Sequence, residues 1–111
     1  MSVLLQPAPT RPTRSRRTCH SVPGSSEKFL AKAPSLAADQ IFLDLEDSVA
    51  RGAKADARGA VIAALNENDW ASGPQKTIVY RVNGTDTPFY YRDLIDVVEA
   101  AGDKIDAVML P

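Results

Sequence analysis

The sequence has 111 residues, 44% of them hydrophobic and 24% charged, with a formal net charge of −1. That is material for one small globular domain, and so even a charge balance gives no reason to expect a nucleic-acid partner or an anionic membrane surface. The single cysteine, Cys19, excludes an intramolecular disulfide and paired-cysteine zinc motifs; no apolar run approaches the roughly 20 residues of a membrane span; and a reducing, cytoplasmic setting is expected.

The start of the chain differs from the rest. It carries Pro7, Pro9 and Pro12 with Arg11, Arg14, Arg16 and Arg17, and the first acid is Glu27. A basic, acid-free start resembles an organelle transit peptide, but the prolines break an amphipathic helix there. Residues 1–16 are therefore predicted to be a disordered tail, and 17–111 the folded part.

From Arg17 the pattern is regular. Thr18 to Val22 reads as a short strand closed by Pro23-Gly24. Ser25 or Ser26 can cap a helix over Glu27 to Ala33, with Glu27 favoured in its first turn and Pro34 ending it. Gln40 to Leu45 is a strand apolar on both faces, as in parallel sheets covered by helices. Lys54 to Asn66 is an amphipathic helix with Ala57, Val61, Ala64 and Leu65 at helical spacing. A loop over 68–74 leads to a strongly β-prone strand, Thr77 to Val82. Asn83-Gly84 turns the chain into a helix over Tyr91 to Ala101, with Leu94, Ile95, Val97 and Val98 as its apolar side. Gly102 is predicted to stop it as a C-terminal glycine, and Ala107 to Leu110 is a fourth strand.

The order βαβαβαβ demands a parallel sheet with right-handed crossovers, an α/β fold. An open doubly wound sheet and part of a closed (β/α)8 barrel both fit. Pro23-Gly24-Ser25-Ser26 is neither a dinucleotide-binding nor a P-loop glycine motif, which argues against a nucleotide-binding open sheet. A complete barrel takes about 250 residues, so four strands would be the N-terminal half of one.

Sites in parallel α/β folds lie at the carboxyl ends of the strands. Asp44, Glu46 and Asp47 gather at the end of the second strand, and Arg81 and Asn83 at the end of the third. An acid inside Phe42-Leu43-Asp44-Leu45-Glu46-Asp47 needs a compensating arginine, an oxygen-seeking cation such as magnesium, or both. Arg81 is a planar, bidentate carboxylate binder, and a structural ion pair with Glu46 or Asp47 competes with that role. A helix cap is the plain alternative for Asp47. His20 reads as structural, Cys19 as a small buried hydrophobe, and Trp70, Phe89, Tyr90 and Tyr91 as packing. Lys54 and Arg58 read as solvated surface or as partners of the acids.

Several blocks occur here in the order seen in one known family: Arg17-x-x-x-x-Val22-Pro23-Gly24, Phe29-Leu30-Ala31-Lys32-Ala33, Leu43-Asp44-Leu45-Glu46-Asp47-Ser48-Val49, Lys54-x-x-Ala57-Arg58 and Arg81-Val82-Asn83-Gly84. On these residues the chain resembles the citrate lyase beta-subunit-like (HpcH/HpaI aldolase) superfamily over Arg17 to Pro111. Asp69-Trp70, Asp86-Thr87 and the run Tyr91 to Glu99 are similar to its malyl-CoA lyase branch. The resemblance implies a TIM barrel and a homotrimer or homohexamer. It also implies Mg2+-dependent reversible cleavage of a 3-hydroxyacyl-CoA such as malyl-CoA to acetyl-CoA and an oxo acid such as glyoxylate. It would have Arg81 bind the oxo-acid carboxylate and Glu46 and Asp47 orient Arg81 and the metal-bound waters. Arg17 and Lys32 would approach the coenzyme A phosphates and adenine.

Two departures stand out. His20 occupies a position usually taken by a larger apolar residue. The sequence given stops at Pro111, where members of the family continue with a lysine and four more strands, and their direct metal ligands, a glutamate and an aspartate, are expected beyond it. The 111 residues alone are expected to be inactive. Citrate lyase beta subunit and a non-catalytic truncated fragment stay as alternatives.

Overall fold

A computed structural model describes residues 14–111. The expected tail, 1–16, lies outside the described residues up to position 13; Arg14 forms an ion pair with Asp106 at 2.8 Å.

Four strands, β1 (Cys19–Pro23), β2 (Gln40–Asp44), β3 (Thr77–Arg81) and β4 (Ala107–Met109), alternate with three helices, α1 (Glu27–Lys32), α2 (Lys54–Glu67) and α3 (Tyr90–Ala101). All strand pairs are parallel, in the spatial order β1-β2-β3-β4. The helices pack against one another in sequence, α1 on α2 and α2 on α3, over a single apolar core. They therefore cover one face of the sheet. A doubly wound sheet would place helices on both faces and reverse its strand order at a switch point. Sequential strands with all helices on one side are the arrangement of consecutive βα units in a (β/α)8 barrel. Among the described residues no helix is long and apolar enough to cross a membrane.

Local chemistry explains the element ends. Ser26 Oγ accepts from the Phe29 N–H at 3.3 Å and caps α1. Pro34 lies in a 3₁₀ turn, Ala33–Ser35, that closes α1 one residue earlier than predicted. The indole N–H of Trp70 donates to the Ala64 and Leu65 carbonyls, 3.2 Å each, and satisfies the open end of α2. Gly24 donates its N–H to the Asp44 carbonyl at 2.8 Å. A Cβ at that position would sit 2.5 Å from the same oxygen, so the tight approach of β1 to the end of β2 requires glycine.

Strand alternation sorts the side chains. Ile41 and Leu43 of β2 are in register with Ile78 and Tyr80 of β3 and face the helices. They pack with Leu30, Val61, Leu65 and Val97, all at most 3% exposed; each such residue contributes about 1.5–3 kcal/mol by leaving water. The Tyr80 hydroxyl donates to the Asp93 carbonyl of α3 at 3.0 Å. Burial, helped by the Asp93 charge, pushes that phenol up to about 12. The intervening residues Phe42, Asp44, Val79 and Arg81 point to the opposite face.

Gly102 ends α3 as its C-cap, as predicted, with a right-handed φ of −58° that leads into a 3₁₀ turn, Gly102–Lys104. Two expectations need correction. The buried stripe of α3 is Asp93, Val97 and Ala101, while Val98, predicted on the apolar side, is 47% exposed. Cys19 is exposed rather than buried, and its sulfur accepts from Gln40 Nε2 at 3.3 Å.

Candidate functional site

The last residues of β2 and β3, Asp44 and Arg81, are register neighbours at the carboxyl edge of the sheet, on the face that the helices leave free. Arg81 Nε donates to Asp44 Oδ1 and Nη2 to Oδ2, both at 2.9 Å, a fork-to-fork pair. The Asp44 side chain is fully buried and that of Arg81 is 22% exposed. Three further donors reach the same carboxylate: the Glu46 N–H at 2.8 Å, the Ser48 N–H at 3.0 Å and the Ser48 hydroxyl at 2.7 Å. Burial alone would raise the Asp44 carboxyl. The guanidinium and the Glu46 and Ser48 donors outweigh it and hold the group well below the usual carboxylate range. Hydrogen bonding to Asp44 raises Arg81 in turn. The guanidinium carbon stands 5.1 Å from the Phe42 ring centroid, which closes one face of the plane.

The expected partner of Arg81 was Glu46 or Asp47; the structure gives Asp44 instead. Asp44 is the in-register strand residue on the same face, whereas Glu46 and Asp47 lie past the end of β2. They add longer-range negative charge around the guanidinium without orienting it. Glu46 is half-buried and Asp47 exposed. Two of the five guanidinium N–H groups serve Asp44, which among the described residues leaves three for a ligand.

A cleft of about 470 Å³ opens at this edge, lined by Glu46, Lys54, Asn83, Asp86, Thr87 and neighbours. Its floor is tied down by a buried polar network. The fully buried Asp93 carboxylate accepts on Oδ1 from Arg58 Nε and Nη2, 3.0 Å each. On Oδ2 it accepts from the Asn83 N–H at 3.0 Å and from Asn83 Nδ2 at 2.6 Å. Asn83 Nδ2 also donates to the Leu45 carbonyl at 3.0 Å. Lys54 Nζ donates to the carbonyls of Leu45 and Glu46 at 3.0 and 2.8 Å. Lys54 and Arg58 are thus anchors of the loop after β2 and of α3, not solvated surface. Phe89 lies beneath the Arg51 and Lys54 cations, 5.3 and 5.8 Å from its ring centroid.

Among the described residues no three histidine, cysteine or acidic side chains converge as a metal site. Both oxygens of Asp44 are committed, and Glu46 and Asp86 are the acids lining the cleft. These residues do not form a magnesium site by themselves, so a bound ion would need ligands from elsewhere.

Arg17 and Lys32 are not brought to Arg81. Arg17 lies before β1, six residues from Pro23, and so about 20 Å away along the strand at the amino edge. There it bonds Asp39 through Nε at 3.0 Å, Nη2 at 3.4 Å and its own N–H at 3.0 Å. Lys32, exposed at the end of α1, borders a separate apolar groove of about 410 Å³ beside His20, Phe29 and Leu36. Sequence reasoning missed the bond between Asp44 and Arg81 and the role of Asp93. A signal for the latter was present: Asp93 precedes Val97 by four residues and falls on the buried stripe of α3.

Comparison with known proteins agrees with the parallel α/β architecture. The family model HpcH/HpaI aldolase/citrate lyase matches residues 17–111. An L-malyl-CoA/beta-methylmalyl-CoA lyase of Cereibacter sphaeroides is 49% identical over 111 residues, 100% of this chain and 33% of that protein. The citrate lyase subunit beta of Leuconostoc mesenteroides subsp. cremoris is 41% identical over 98 residues, 88% of this chain and 30% of that protein. Among solved structures, CitE of Mycobacterium tuberculosis, complexed with the triphosphate group of ATP, superposes with a TM-score of 0.60 at 30% identity, covering 86% of this chain and 40% of that one. The chain spans about a third of the length of the curated relatives it matches. With a family match over nearly all described residues, and the strand order and edge geometry above, the chain belongs to the HpcH/HpaI aldolase/citrate lyase family.

Proposed function

We propose that the full gene product carrying these residues is a carbon–carbon lyase acting on a 3-hydroxyacyl-CoA of the malyl-CoA type, releasing acetyl-CoA and a small oxo acid such as glyoxylate. The observation that carries this reading is the Arg81 guanidinium, fixed by buried Asp44 at the carboxyl edge with three N–H donors uncommitted among the described residues. In the cleavage direction the substrate hydroxyl loses its proton and the C–C bond breaks. The oxygen becomes the oxo-acid carbonyl, and the electron pair passes to the thioester fragment as an enolate, which is then protonated. A guanidinium held in advance can bind the oxo-acid carboxylate and the charge on the developing carbonyl oxygen without reorganising. Asp44 holds the plane in place, and Phe42 screens one face of it.

The 49% identity to a malyl-CoA lyase supports this substrate class. The 41% match to a citrate lyase beta subunit supports a citryl thioester as the second reading. The proposal includes a Mg2+ requirement met by carboxylates outside the present residues, a cytoplasmic location and a homo-oligomer, trimer or hexamer. Arg17 and Lys32 are proposed to meet the distal part of coenzyme A, away from Arg81.

The test is release of glyoxylate and acetyl-CoA from malyl-CoA by the full gene product in the presence of Mg2+. Arg81→Lys keeps the charge but loses the fork. It is expected to lower kcat/KM on the order of 10²–10³-fold, the usual loss for one preorganised oxyanion donor. Cleavage of a citryl thioester alone would favour the second reading. No cleavage of either thioester would remove both.

A further inference from the structure

We infer that Asp93 of α3 is a positioning residue for Arg81, acting across the sheet edge through Asn83 and a single peptide plane. The inference rests on the lyase reading for its catalytic meaning, but its geometry stands without it.

The links are short and consecutive. Asp93 Oδ2 receives Asn83 Nδ2 at 2.6 Å and the Asn83 N–H at 3.0 Å, so the Asn83 amide has one orientation. The same Nδ2 donates to the Leu45 carbonyl at 3.0 Å. The Leu45 carbonyl and the Glu46 N–H belong to one planar, trans peptide unit, in which the two groups point in opposite directions. Holding the carbonyl from the Asn83 side therefore aims the Glu46 N–H at the other side. That N–H meets Asp44 Oδ1 at 2.8 Å, the oxygen that also receives Arg81 Nε at 2.9 Å. Lys54 Nζ grips the same Leu45 carbonyl at 3.0 Å, so the peptide is held by two donors.

Placement supports the reading. Asp93, Asn83 and Asp44 are at most 2% exposed, so water does not compete for these bonds. The Asp93 charge is balanced by Arg58, whose side chain is 14% exposed. A carboxylate needed only to anchor α3 would be satisfied by that ion pair. Its second oxygen is instead given wholly to Asn83, the residue two beyond Arg81. An Asp93→Asn change keeps the shape but replaces one acceptor oxygen with a donor, which the Asn83 amide and the Arg58 guanidinium cannot both accommodate.

The experiment follows the Arg81 Nε–H proton by NMR on the full gene product, its signal assigned by its loss in Arg81→Lys. In the wild type a proton shared with a buried carboxylate exchanges slowly with water. Asp93→Asn is expected to shift that signal and speed its exchange at least tenfold, and to lower kcat with a smaller change in KM. Asn83→Ala, which leaves the bond between Arg58 and Asp93 in place, is expected to do the same and serves if Asp93→Asn does not fold. An Arg81 signal unchanged in a folded Asp93→Asn or Asn83→Ala variant overturns the inference. Wild-type protein without lyase turnover but with an Arg81 signal sensitive to Asp93 would sink the proposed function and leave the coupling standing.

Discussion

The two edges of the sheet use the same pair of residue types for different ends. At the amino edge Arg17 and Asp39 flank β1 and β2, with bonds of 3.0 and 3.4 Å between side chains that are 80% and 19% exposed. At the carboxyl edge Arg81 and Asp44 close β3 and β2 with two bonds of 2.9 Å, and their side chains are 22% and 0% exposed. Bond lengths differ by a few tenths of an ångström; burial differs greatly. In water an arginine–aspartate pair is screened and holds two long side chains at an entropic cost, so it adds little. In the low-dielectric edge above the core the same pair is strong, and removing one partner leaves the other exposed to the full desolvation penalty. What separates a fixed guanidinium from a loosely tethered one is therefore its surroundings.

The largest expected effect comes from breaking the buried pair on its donor side. Arg81→Ala strands the Asp44 carboxylate with only Glu46 and Ser48 donors, and a loss of about 3–5 kcal/mol in chemical denaturation is expected. A loss below the error of the denaturation curve would show that the carboxyl edge is solvated after all.

Acid comes next. In the folded protein the Asp44 carboxyl sits well below its ordinary value, so on lowering the pH the unfolded chain takes up this proton first. The stabilisation is whole above about pH 4 and drains away as the pH falls further towards the folded value. Asp39 is also lowered, chiefly by its hydrogen bond to Arg17, which makes it the internal control. Thermal melts from pH 7 to pH 2 are expected to lose most of their acid slope in Asp44→Asn and little of it in Asp39→Asn. The reverse order would invert the comparison of the two edges. The smallest effect belongs to Arg17→Ala, whose melting temperature is expected to match the wild type within error at physiological salt. A large drop in stability there would show a structural role that exposure argues against.

Much of this was legible in the chain. Periodicity placed all four strands and three helices to within a residue or two, and the buried face of α2, Ala57, Val61, Ala64 and Leu65, is the one its spacing predicted. Alternation between strands and helices required a parallel sheet, and the motif blocks pointed to the family before any geometry was known. These are local properties: apolar spacing, turn chemistry and proline act within a few residues. The glycine signal was local too, since α3 stops at Ala101 with Gly102 as its C-cap.

Partner choice was different. Three acids in four residues stand near the end of β2, and nothing along the chain says which one Arg81 takes. Register decides it, by setting Asp44 opposite Arg81 on one face while Glu46 and Asp47 pass beyond the strand. Register likewise sends Arg17 to the far edge, although the sequence gives it the same charge as Arg81. The role of Asp93 needed the packing of α3 on α2 and β3, because its partners Arg58 and Asn83 lie 35 and 10 residues away. The sequence by itself determined the elements, their order and the family. Only the tertiary structure determined which charges meet and which of them are dry, because hydrogen-bond partners and burial depend on distances between segments that no local pattern encodes.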